Sequence, residues 1–221
     1  MASRMIRENE RNITANDFLQ ESSPDFVGND FFAEQIALLK TNLETTGDLR
    51  GEQISSDGGA RGQYDIAAEA NAKLEEVMRD VADLAPTMAS EIEGIEEKFR
   101  ITRSGGKRAR IIRARVFATD ALPHEELFKK RGMEVNFIEL LNTNADRLEQ
   151  ALSSAASEIA HRVGSTSTII QTHRNSNKII TMLDPIVRKR YRDNPAKLAA
   201  WKFASHVQRD DKPKPPPTPP V

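Results

Sequence analysis

The sequence predicts an all-α protein: an antiparallel four-helix bundle with short accessory helices and a disordered Pro-rich tail. Three observations carry that expectation. Apolar residues recur every three or four positions over four long stretches, near 25–46, 65–100, 134–163 and 166–192, and no stretch alternates with the period of two that a half-buried strand needs. Aromatics are 5% of the chain against 38% hydrophobic residues, so the core material is mainly Ala, Leu and Ile, which suits helices better than sheets. Glycine-rich or polar links separate the four stretches, as the turns of a bundle would.

Residues 1–13 are polar and read as a flexible N-terminus, after which Thr14 or Asn16 caps a short helix through Phe18 and Leu19. The first long helix runs from about 25 to 46, with Phe32, Ile36, Leu39 and Leu43 on one face and Gly47 as its stop. Five glycines between 47 and 62 predict a flexible loop there, because glycine costs backbone entropy in a helix and brings no side chain to pack. The longest stripe follows, Ile66, Ala70, Leu74, Val77, Val81, Leu84, Met88, Ile92, Ile95 and Phe99, interrupted by Pro86, which lacks an amide donor and forces a kink or a break. An inserted region, 101–131, crosses over one end; it contains a helix from about 107 to 120 and a short one from Pro123 that stops before Gly132. The seam Phe137, Leu141, Ala145, Leu148 and Leu152 continues to Val163, with Gly164 as its stop. A second seam holds Ile169, Ile180, Leu183 and Val187. Asp193 or Asn194 then caps a final helix that starts at Pro195 and buries Trp201. The domain plan is a single helical bundle over 14–207 and a tail over 208–221, where six of the last nine residues are proline and favour an extended polyproline conformation.

Composition limits function. With 32 basic and 33 acidic residues there is no global field to recruit nucleic acid or an anionic membrane, so an electrostatic partner must read a local patch. The absence of cysteine excludes disulfides, thiolate metal sites and cysteine nucleophiles. The charged N-terminal segment lacks the apolar run of a signal peptide, and no stretch approaches the roughly 18 apolar residues of a membrane span, so a soluble, cytoplasmic protein with no membrane partner is expected.

The local patch is FRITRSGGKRARIIRAR, residues 99–115, with seven cations and no acid. Arg103, Lys107, Arg108, Arg110, Arg113 and Arg115 are its polyanion-binding candidates, since phosphate contacts need such cations. The competing reading is a solvated helix face. No aromatic residues alternate with the cations, as a single-strand platform would require. The glycines before Lys107 lack the spacing of a nucleotide-binding loop. In the tail, Lys214, Pro217 and Pro220 fit the basic-x-x-Pro-x-x-Pro pattern of peptides that dock on aromatic grooves.

Enzyme chemistry finds little support. A di-metal carboxylate bundle needs two Glu-x-x-His motifs, and only Glu158 and His161 supply one, so no metal or other cofactor is assigned. His173, Ser176 and Asn177 make a polar step in an apolar stripe, a pattern that fixes helix register or hosts a ligand. No convergent acid, base and nucleophile set stands out, and no catalytic residue is named.

The two ends, RNITANDFL and IVRKRYRDNPAKLAAWKFASHV followed by the proline-rich tail, resemble a group of uncharacterised bacterial proteins of similar length. The resemblance implies a bacterial, cytoplasmic setting and nothing mechanistic. From the long apolar stripes without a convergent acid, base or metal set, the expected function is a non-enzymatic helical scaffold or adaptor that binds a protein partner or forms a homo-oligomer. Nucleic-acid or polyanion binding through 100–115 is the first alternative, and a metal-binding bundle the second.

Overall fold

The computed structural model describes residues 2–101 and 105–207, with side chains from residue 5 onward. Every regular element among them is helical. In chain order these are α1 (Ala2–Ser22), α2 (Asp30–Leu84), α3 (Ile95–Lys98), α4 (Lys107–Ala121), α5 (Glu125–Lys130), α6 (Phe137–Arg190) and α7 (Pro195–Ser205), with short 3-10 turns after α1, α2 and α4. The chain divides into two compact units: Met1–Glu52 with Gly164–Val221, and Gln53–Val163. The 101–131 insert expected as a crossover lies wholly in the second unit.

Local chemistry accounts for the ends. The Asn29 side chain accepts a hydrogen bond from the Phe32 amide at 3.0 Å and caps α2, whose first turn carries Asp30. Asn194 does the same for α7, accepting from the Lys197 amide at 3.1 Å, with Pro195 in the first turn as the sequence predicts. Cations Arg188, Lys189 and Arg190 close α6, where they face the negative end of its dipole. At Pro86 the outcome is a break: α2 ends at Leu84 and a 3-10 turn follows, yet Met88, Ile95 and Phe99 of the predicted stripe are still buried.

Three expectations are corrected. The glycine-rich 47–62 segment is helix, not loop, so the predicted helices near 25–46 and 65–100 are parts of one 55-residue element. Gly164 likewise does not stop a helix, and 137–190 is one 54-residue element. The reason lies in the backbone. A glycine ends a helix by adopting positive φ, and among the described residues only Gly28, Gly94, Gly105 and Gly132 do so. Gly106 is extended just before α4, and the remaining glycines lie within helices, where each costs about 1 kcal/mol relative to alanine. Arg162 of α6 pairs with Asp57 at 2.7 Å across to the segment, Arg61 pairs with Asp57 at 2.8 Å within α2, and Ala60 is buried. Finally, residues of the supposedly flexible N-terminus are helical from Ala2, and Asn12 is completely buried.

Each unit has its own core. In the first, Leu19 of α1, Phe32, Ile36 and Leu39 of α2, Leu183 and Val187 of α6, and Trp201 of α7 pack together. In the second, Leu74 and Val81 of α2, Phe117 of α4, Phe128 of α5, and Phe137, Leu141 and Leu148 of α6 form a core together with Phe99, which meets Phe117 and Phe128 edge-on. In the second unit α2 and α6 run antiparallel, since Arg147 reaches Glu69 and Arg162 reaches Asp57; in the first, Ser165 of α6 lies 3.4 Å from Glu52 of α2. From Lys40 to Ile66 of α2 no large apolar side chain is fully buried, so the stripes that make the two cores are separate in sequence.

Candidate functional site

The basic stretch is placed by a glycine hinge. Gly105 has φ of +132°, and a Cβ there would lie 2.8 Å from the Cβ of Ala109, so both the backbone angle and the close approach require glycine. After the extended Gly106, α4 begins at Lys107. Ile111, Ala114, Phe117, Ala118 and Ala121 turn inward at helical spacing, and Phe117 meets Phe99 edge-on at 5.2 Å. That orientation leaves Ile112 and Val116, one turn apart, 65% and 47% exposed.

The cations of the stretch are dispersed. Arg110 bonds the Asn71 side chain and pairs with Glu75 of α2 at 2.8 Å. Arg115 donates to Asp146 and Glu149 of α6, each at 2.6 Å. Its bonds to Asp146 and then Glu149 raise its pKa above the ordinary arginine value. Arg113 donates to the Arg100 carbonyl at 3.3 Å. Lys107 is half-buried and Arg108 exposed, and neither forms an ion pair among the described residues. Arg103 lies outside the described residues, as do Lys214, Pro217 and Pro220 of the tail.

Beside α4 opens a cleft of about 600 Å³. Met78, Ile101, Ile112, Val116 and Phe117 give it an apolar floor. Arg79 and Lys98 join Arg110 and Arg113 along it, against a single carboxylate among the described residues, Glu75. Arg79 of α2 and Lys98 of α3 were not among the sequence candidates, because they come from segments distant from the basic run and only the fold brings them to it.

In the other unit the polar step at 173–177 meets a partner from α1. Asn12 Nδ2 lies 3.4 Å from Nδ1 of the buried His173, and Ser176 donates to the Thr172 carbonyl at 3.0 Å. Arg11 donates to Asn12 Oδ1 at 2.8 Å and also bonds Asn177. Burial holds the His173 pKa below its ordinary value, and Arg50 and Arg11 push it the same way against an opposing Glu8. Its Nε2 is buried with no hydrogen-bond partner among the described residues. The sequence identified His173, Ser176 and Asn177, but not Arg11 or Asn12, which sit in the segment expected to be flexible.

His161 is exposed, while the Glu158 side chain lies along Gly59. Among the described residues no cluster of three or more His, Asp or Glu could hold a metal, and no helix is long and apolar enough to cross a membrane. Comparison with family models, curated proteins and solved structures finds no match to this chain.

Proposed function

We propose that the protein is a non-enzymatic helical scaffold that docks another helical protein, a second copy of itself first among them. One observation carries this reading. In the first unit, Ile6 and Ile13 of α1 are 50% and 43% exposed, and Phe31 and Leu38 of α2 are 45% and 47% exposed. Each pair is seven residues apart, a spacing that returns to nearly the same helix face and that recurs along helix–helix seams. Isolated exposed apolar residues are ordinary on protein surfaces; the same seven-residue repeat on two helices of one unit is the pattern an unpaired seam leaves.

A four-helix bundle belongs to this reading, built from a different set of segments than the 25–46, 65–100, 134–163 and 166–192 expected from the sequence. In the first unit α1, the start of α2, the end of α6 and α7 contribute to one apolar core, which is the set of segments a four-helix bundle needs. The polyanion alternative has less behind it, since Arg110 and Arg115 already have carboxylate partners. Sedimentation velocity over a wide concentration range is the test. A dimer is expected, shifted to monomer by Ile13→Glu with Leu38→Glu. A strict monomer in the wild type, with a photo-crosslinker at residue 38 capturing no protein, would remove the reading.

A further inference from the structure

We infer that the cleft between α2, residues 98–101 and α4 binds an apolar molecule carrying one anionic head, a carboxylate or a phosphate monoester. Its volume of about 600 Å³ falls in the range of small-molecule sites. The floor is apolar and partly open to solvent: Ile101 and Ile112 are 42% and 65% exposed, an arrangement that an apolar ligand would cover. Charge complementarity selects the head. Among the described residues four cations border the cleft, and the only carboxylate lining it, Glu75, is taken by Arg110.

Arg79 and Lys98 set the site apart from an ordinary solvated surface. Arg100, Arg110 and Arg115 nearby all have acidic partners, whereas Arg79 and Lys98 form no ion pair among the described residues. They stand beside an apolar floor, where a bound anion would be less screened than in water. A cationic or neutral amphiphile would cover the same floor without satisfying them.

Isothermal titration calorimetry of the full chain tests this with four chain-matched probes below their micellar concentrations: dodecanoate, dodecyl phosphate, dodecanol and dodecyltrimethylammonium. One-to-one binding of at least one anion is expected, at least about tenfold tighter than the cation and weakened by added salt. The relative affinity of dodecanoate and dodecyl phosphate identifies the head. Arg79→Glu with Lys98→Glu should weaken the anion at least about tenfold while leaving the thermal transition in place, because both side chains are exposed. Ile112→Asn, also at an exposed site, should weaken all probes. Equal affinity for anion and cation, several molecules bound per chain, or an unchanged affinity in the Arg79/Lys98 variant would each overturn the assignment. None of these outcomes bears on the seam of the other unit.

Discussion

At the residue scale the informative group is His173. It is 4% exposed, faces Asn12, and has Arg50 and Arg11 as cationic neighbours, with Glu8 acting against them, so its neutral form is favoured in the folded chain. In the unfolded chain the imidazole returns to an ordinary pKa of about 6.5. Between the lowered folded value and that figure the unfolded state binds more protons, so stability is complete above about pH 6.5 and falls as the pH drops below it. The melting temperature should be lower at about pH 5.5 than at about pH 7.5, and His173→Gln, which cannot titrate, should show a smaller drop. An equal drop in the two proteins would assign the effect to other groups. The sequence showed that 173, 176 and 177 interrupt an apolar stripe; that Asn12 and Arg11 supply the facing polar groups depends on α1 packing, which residue type alone does not reveal.

At the element scale the question is why glycine-rich 47–62 continues α2. Gly47, Gly51, Gly58 and Gly62 have open space where a Cβ would project, and none of them has positive φ. Gly→Ala at each site should therefore stabilise the chain by about 0.4–1 kcal/mol, mainly by restricting the unfolded state. Gly59→Ala should gain less, because its Cβ would sit 3.3 Å from Glu158 Cδ and that side chain must shift. Urea midpoints measure this directly. Losses at all four open sites would mean the segment is not helical in solution. Composition was a poor guide here because it counts glycines without knowing the sign of φ. Where a glycine does hold positive φ, at Gly132 after α5, the predicted stop is where the structure puts it.

At the scale of the whole molecule, one chain carries two apolar cores. Trp201, the single tryptophan, lies in the first with Phe18 at 5.4 Å, and its indole N–H donates to Asp184 at 2.8 Å. Its fluorescence reports that unit, while ellipticity reports helices in both. Leu183 and Leu141 are fully buried, one in each core, and truncating either to alanine should cost about 2–5 kcal/mol locally. We expect Leu183→Ala to move the fluorescence transition to lower urea, and Leu141→Ala to leave it near the wild-type midpoint while lowering part of the ellipticity transition. Coincident shifts of both probes in both variants would establish a single cooperative unit.

The all-helical class, the inward stripes, the N-terminal cap of α7 as one of two neighbouring residues and the position of α4 are encoded locally, in periodicity and in short side-chain-to-backbone bonds, and so were legible in the chain by itself. Helix continuity through the glycines, the division into two cores and the meeting of Arg79 and Lys98 with Ile112 and Val116 were decided only by tertiary structure. They depend on which distant segments pack together, and linear spacing carries no record of that.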